Sequence, residues 1–235
     1  MLRILAAFAA FALLTSPASA AEKETIAIIG TGNVGSALGP RWASHGYKVV
    51  YGSRMPDSDR VKALLKESPK ASATQAAQAA RGAAVVVIAV PGRLAAETVA
   101  GLGDLKGKLI IDTTNTMGFK DGKVSDPDGS ETVLERIQAA APGAQAVKAF
   151  NTVSAVVMKN PAATGGPVTL PIAGGDAAAR AKVAALAQEL GFAVIDLGGP
   201  EMARFAEHLG RLYVAYAAGH RPQRLEFNFR TWTQP

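Results

Sequence analysis

Short apolar runs recur along the chain, and segments with helical spacing separate them. Residues 26–29, 48–51, 83–90, 109–112, 146–150, 169–173 and 192–196 read as strands. Several of these are apolar throughout rather than alternating, the pattern of strands covered on both faces. Between them, residues 33–44, 57–67, 74–80, 94–101, 153–159, 177–190 and 201–218 predict helices, and another starts at Ser130 with Val133, Leu134 and Ile137. His45-Gly46 stops the first helix and Asn160-Pro161 the one at 153–159, while Pro56 and Asp57 suit the start of the second. Residues 117–130 are rich in Gly, Asp and Lys without a period and read as a loop. Strand alternating with helix predicts an α/β protein: a doubly wound, mostly parallel sheet with helices on both faces. One such domain spans residues 21–220. A tail, 221–235, has no convincing period, but Phe227, Phe229 and Trp232 are expected to pack on the body.

The sharpest pattern lies in residues 25–54, TIAIIGTGNVGSALGPRWASHGYKVVYGSR. A strand runs into Gly30-Thr31-Gly32-Asn33-Val34-Gly35, a helix opens, and a second strand follows. A lone GxGxxG is weak, but in a strand–turn–helix–strand unit of about 30 residues it is the fingerprint of dinucleotide binding in a Rossmann fold. Gly30 permits the tight turn, Gly32 lets the backbone approach a pyrophosphate, and Gly35 lets helix and strand pack closely. The helix N-terminus offers free N–H groups to the phosphates. An ordinary turn that happens to hold three glycines is the competing reading. The second strand ends Gly52-Ser53-Arg54 with no carboxylate to take ribose hydroxyls. Ser53 can donate to a 2′-phosphate and Arg54 can pair with it, which favours NADP(H) over NAD(H). A solvated loop arginine is the alternative.

Ligands in such sheets sit outside the carboxyl ends of the strands. Val90-Pro91, Asn115 and Asn151-Thr152 all follow strands there and are candidates for the nicotinamide and substrate side, with loop capping the alternative for each. The three histidines, His45, His208 and His220, are far apart in the sequence. Helix capping explains His45, and His208 is a candidate proton donor or an ordinary surface residue. No catalytic constellation and no metal set stands out. Hydride transfer to a flavin-like acceptor needs no side-chain acid or base.

Composition changes the picture in three places. The 49% of hydrophobic residues supports a large core. The excess of 25 Lys and Arg over 19 acids is scattered among few aromatics, so no nucleic-acid partner is expected. The absence of cysteine excludes disulfides and thiolate chemistry. Residues 1–20, MLRILAAFAAFALLTSPASA, carry a positive start, an apolar run and an A-x-A-like end, the pattern of a secretory signal peptide. The run is too short to span a membrane. A periplasmic or secreted location is expected, or a cytoplasmic one if the true start lies downstream; an uncleaved anchor is the other alternative. The signal lacks a twin-arginine pair, so nothing supports export with cofactor already bound.

IAIIGTGNVGSAL, VVYGSR, VVVIAVP, DTTN and VKAFNTV together resemble the deazaflavin (coenzyme F420)-dependent NADP oxidoreductase family over most of residues 25–212. The resemblance implies NADP(H) and hydride exchange with a flavin or deazaflavin. It places Thr31, Gly32, Asn33 and Val34 at the pyrophosphate, Ser53 and Arg54 at the 2′-phosphate, and Val90, Pro91, Asn151 and Ala155 near the nicotinamide. Ser58 stands where some members have a second basic residue, and the proline often found after Asn115 is missing. Relatives include NADPH-binding modules of membrane metalloreductases; no haem-bearing membrane bundle follows here, so that role is not expected. The expected function is an NADP(H)-dependent oxidoreductase acting on a flavin- or deazaflavin-like, or small carbonyl or imine, acceptor. The alternative is an exported, non-catalytic dinucleotide- or partner-binding protein. A homodimer through Leu209, Leu212 and Tyr216 is a further expectation, although these residues suit the core equally.

Overall fold

The computed structural model describes residues 23–68, 70–115, 117–120, 123–125, 131–220 and 222–233. The expected signal peptide, residues 1–20, lies outside them.

Eight strands form one twisted sheet. In chain order these are β1 (Thr25–Ile29), β2 (Lys48–Gly52), β3 (Ser72–Thr74), β4 (Val85–Ile88) and β5 (Leu109–Asp112), then, past a small hairpin, β8 (Gln145–Lys148), β9 (Thr169–Gly174) and β10 (Ala193–Asp196). The hairpin is β6 (Gly118–Lys120) and β7 (Lys123–Ser125). Across the sheet the order is β10-β9-β8-β5-β4-β1-β2-β3. All neighbours are parallel except β8 and β9. The order reverses between β1 and β4, and that switch point opens a crevice at the strand ends. This is the expected doubly wound, mostly parallel Rossmann sheet, with β9 and β10 running opposite to the other six strands.

The helices are α1 (Asn33–Ser44), α2 (Asp59–Glu67), α3 (Ala76–Arg81), α4 (Ala95–Ala100), α5 (Val133–Ala140), α6 (Ala155–Lys159), α7 (Ala177–Glu189) and α8 (Ala203–Gly219). They cover both faces and bury two apolar layers. Trp42 on α1 and Phe192 both meet Phe150 edge-on at 5.8 Å in one layer. Ile88, Ile110 and Leu134 fill the other. At roughly 25 cal/mol per Å² of apolar surface, burial on both faces is what holds the strands.

Several elements depart from expectation. Ser72–Thr74 is an edge strand paired with β2, and α3 starts after it at Ala76 rather than at residue 74. Three small, half-exposed residues carry no apolar run that would announce a strand. Residues expected as a loop contain the β6–β7 hairpin. The helices expected from 57 and 153 start at Asp59 and Ala155, because Ser58 and Ser154 occupy the N-cap positions. In the tail, Phe227 and Phe229 stack at 5.7 Å, but Trp232 does not pack and is 78% exposed.

Candidate functional site

The glycine turn is built by backbone contacts. Gly30 has φ +109°, and its N–H donates to the Gly52 carbonyl at 3.0 Å, tying β1 to β2. A Cβ at Gly30 would strike the Ala89 carbonyl, and one at Gly35 would strike the Gly30 carbonyl. Gly32 differs: a Cβ there would meet nothing within 4 Å. Its backbone therefore faces open space, and it precedes α1 with no side-chain cap on the helix amides. Uncapped amides beside a bare backbone make an anion cradle.

A cleft of about 690 Å³ opens in front of this cradle, over the carboxyl ends of β1, β2 and β4. Of the residues expected at the cofactor, Gly30, Thr31, Gly32, Ser53, Arg54, Val90 and Pro91 line it. Asn33, Val34 and Gly35 form the first turn of α1 behind the cradle rather than the cleft wall. At the β2 end, Ser53 Oγ accepts the Met55 N–H at 3.1 Å, which folds the loop back and leaves Arg54 exposed. Ser58 and Arg60 complete this corner. Arg60 Nε donates to the Thr31 carbonyl at 2.9 Å, so the start of α2 is latched to the glycine turn. Arg60 thus brings the second cation that Ser58 does not supply. The sequence pattern gave no cue, because residue 60 reads simply as part of a helix. A pyrophosphate on the cradle and a phosphomonoester against two guanidiniums both fit this cleft.

Asn115, Asn151 and Ala155 stand outside the cleft, at the ends of β5 and β8. Asn115 Nδ2 donates to the Asn151 carbonyl at 2.7 Å, and Asn151 Nδ2 donates to Asn115 Oδ1 at 2.8 Å. Asn151 Nδ2 also donates to the Ala206 carbonyl of α8 at 2.8 Å. The pair is held tightly: a Cβ at Gly92 would strike the Asn115 backbone, and one at Gly210 its side chain. Phe150 reaches the turn with φ +63°, a conformation costly for a buried aromatic residue. Asn151 Oδ1 and Thr152 Oγ1 are buried beside it without a hydrogen-bond partner. Backbone strain and unpartnered polar atoms thus fall together in one turn. His208 is exposed on α8 against Phe205, so it does not serve this turn. His45 caps α1 through the Arg41 carbonyl at 2.9 Å, as expected. Among the described residues no group of three acidic or histidine ligands could hold a metal ion, and no helix is long and apolar enough to cross a membrane.

Residues 25–116 match the family described as NADP oxidoreductase, coenzyme F420-dependent. A crystal structure from Arthrobacter sp. FB24, assigned as an F420-dependent NADP reductase, is 33% identical with a TM-score of 0.76, covering 83% of this chain and 93% of that one. A Sinorhizobium meliloti protein is 34% identical with a TM-score of 0.66, covering 75% and 85%. The chain belongs to this family of F420-dependent NADP oxidoreductases. Rat metalloreductase STEAP3 is 30% identical over 193 residues, 79% of this chain. The chain spans 36% of that protein's length, so the likeness concerns one part of it.

Within this NADP oxidoreductase fold, sequence reasoning missed a buried charge cluster behind the asparagine pair. Lys148 at the end of β8 and Asp112 at the end of β5 are fully buried, and Glu207 of α8 is 2% exposed. Lys148 Nζ lies 2.5 Å from Asp112 Oδ2 and 3.0 Å from Glu207 Oε1, and it donates to the Thr114 carbonyl at 2.8 Å. The buried ammonium thus sits between two carboxylates and is hydrogen-bonded to a carbonyl. Asp112 Oδ1 takes the Thr114 N–H and hydroxyl at 2.9 and 2.8 Å, and Glu207 Oε1 takes the Val133 N–H at 2.8 Å. This knot clamps β5, β8, α5 and α8 beneath Asn115 and Asn151. A signal was present: Lys148 interrupts an apolar strand, where a charged residue must be paired.

Proposed function

We propose that this chain binds NADP(H) across the strand ends and exchanges hydride with an organic acceptor of flavin, deazaflavin, carbonyl or imine type. The observation that carries the reading is the cleft corner made by Ser53, Arg54, Ser58 and Arg60, with no carboxylate at the end of β2. A ribose 2′-phosphate suits two guanidiniums there, whereas a carboxylate would repel it. Gly32 and the α1 amides would hold the pyrophosphate. Val90 and Pro91 would guide the chain of the cofactor toward the asparagine pair. Asn151 Oδ1, buried and unpartnered, suits an amide donor such as the carboxamide of a nicotinamide. NADP(H), when bound, supplies or accepts the hydride. The protein's part is to fix the ring and keep water away from it.

The F420 in the family's description supports a deazaflavin-like acceptor. The test is calorimetric titration with NADPH and NADH, followed by turnover with flavin, deazaflavin, carbonyl and imine acceptors. Tight NADPH binding with weak NADH binding is expected; binding of neither sinks the proposal. Tight binding without turnover of any acceptor would favour the non-catalytic binding protein. An exported location belongs to the same proposal, resting on residues 1–20, and fractionation with N-terminal sequencing checks it. So does the homodimer: Leu212 is 52% exposed and Leu209 and Tyr216 are half-buried on α8, and light scattering checks it.

A further inference from the structure

The three glycines of the turn are not held equally. Gly30 is fixed by its bond to Gly52 and by the nearby Ala89 carbonyl, and Gly35 by close approach to the Gly30 carbonyl. A Cβ at Gly32 would touch nothing, and its N–H donates to no backbone carbonyl among the described residues. Lacking both a Cβ and neighbours, Gly32 is the least restrained part of the turn. It is also where a pyrophosphate would approach. The peptide before it is what steadies it. In a planar trans peptide the carbonyl and the following N–H point in opposite directions. The Arg60 bond to the Thr31 carbonyl at 2.9 Å therefore sets the direction of the Gly32 N–H.

Arg60 makes this bond from the first turn of α2, and it lines the cleft together with Ser53, Arg54 and Ser58. No ion pair engages it among the described residues; Asp59 beside it faces Lys62 at 3.9 Å. A guanidinium is a rigid plane with donors on three nitrogens. With Nε engaged by Thr31, the two Nη groups remain for the cleft, and they form the fork that meets a phosphate bidentately. One rigid group thus serves both anion positions. It reaches the phosphomonoester corner through Nη and the pyrophosphate cradle through the Thr31 peptide. Arg54 differs: it is exposed, and among the described residues no hydrogen bond ties it to the glycine turn.

We propose that Arg60 is a positioning residue that couples the two anion positions: when a 2′-phosphate fixes its Nη edge, the Thr31 peptide stiffens and the Gly32 N–H is held ready for the pyrophosphate. This rests on the NADPH reading above and adds how the 2′-phosphate acts beyond its own contacts. NADPH gains twice from its extra phosphate, by direct contact with Arg54 and Arg60 and by a better-ordered cradle. NADH meets a cradle steadied by the latch alone. Coupling of this kind is reciprocal, so a group seated on the cradle also tightens the corner.

The test has two arms. In the first, calorimetry with NADPH and NADH compares wild type with Arg60→Ala and Arg54→Ala. Arg60→Ala is expected to weaken NADPH at least about 20-fold and NADH about fivefold, at an unchanged melting temperature, whereas Arg54→Ala weakens NADPH alone. In the second, adenosine 2′-monophosphate, which carries the phosphomonoester and no pyrophosphate, is titrated into nitrogen-15-labelled protein. In wild type the Ser53 and Gly32 amides should both shift as the corner fills. In Arg60→Ala the Ser53 amide should still shift while Gly32 stays in place. Arg60→Met, which keeps the aliphatic stem and removes the donors, gives the same readouts if the alanine variant does not fold. Equal NADH affinity in wild type and variant, or a Gly32 amide that moves as far in the variant as in wild type, would overturn the coupling and leave Arg60 a simple phosphate contact. Failure of the underlying reading looks different: the wild type itself would not bind NADPH, and the coupling would fall with it.

Discussion

The two ends of the ligand-facing edge are built on opposite principles. The corner over β1 and β2 is an open cleft shaped by backbone: bare glycine, uncapped amides and exposed guanidiniums. The end over β5 and β8 is closed and shaped by side chains: an ion cluster, a reciprocal asparagine pair and a strained turn, all under α8. On the proposed reading, the first would hold phosphates, which carry their own charge and need only donors, and the second would orient the nicotinamide ring, which needs rigid partners. An open site is cheap to change and affects binding; a closed one is tied to folding.

The largest effect that separates the two should come from Lys148→Ala. It leaves Asp112 and Glu207 buried without their cation, and breaking a buried pair in this way costs about 3–5 kcal/mol. Urea denaturation should show that loss; a change under about 1 kcal/mol would mean the knot does not clamp the distal end. Arg54→Ala should leave the fold intact and remove a charge-assisted contact to the 2′-phosphate, about 1.5–3 kcal/mol, or roughly a tenfold to hundredfold weaker NADPH affinity. NADH affinity should not move. If both cofactors weaken equally, Arg54 does not read the phosphate.

Gly32→Ala is a finer probe. Nothing lies within 4 Å of the new Cβ, so the melting temperature should hold while both cofactors bind several-fold more weakly, because the methyl stands where a pyrophosphate would approach. Unchanged affinity would move the pyrophosphate elsewhere. The smallest effect is in the tail, where burial pushes the Glu226 carboxyl up to about 7 and the Thr169 N–H donates to the Phe227 carbonyl at 2.8 Å. A carboxyl raised by burial favours the docked tail while it is protonated, so its contribution is complete below the ordinary glutamate range and is lost as pH rises through about 7. Amide hydrogen exchange at Thr169 and Phe229, corrected for intrinsic rate, should therefore speed up between pH 6 and about 8 in wild type and not in E226Q.

The same contrast explains what could be read from the chain. The open corner follows from local order: a strand, three glycines at fixed spacing and the Ser53-Arg54 ending. The apolar runs of β1, β4 and β5 likewise show themselves, because parallel strands covered on both faces are apolar at nearly every position. The closed end depends on residues far apart in sequence, Asp112, Lys148 and Glu207, and no spacing rule brings them together. Asn115 and Asn151 were legible only as strand-end polar residues, not as partners of each other. Strand β3 and the β6–β7 hairpin escaped because three-residue strands have too few positions to show a period. Arg60 escaped because only folding of the β2–α2 loop carries it back to Thr31.

That last contact bears on redesign. Exchanging Arg54 for an acidic residue is the direct route from NADPH toward NADH, but Arg60 would remain, held in place by the Thr31 carbonyl rather than by any phosphate. A single swap would then set a carboxylate beside an anchored cation, and the two could neutralise each other instead of greeting a ribose. Reprogramming the cofactor preference accordingly means rewriting residues 54 and 60 together and giving the glycine turn a neutral donor in place of the latch.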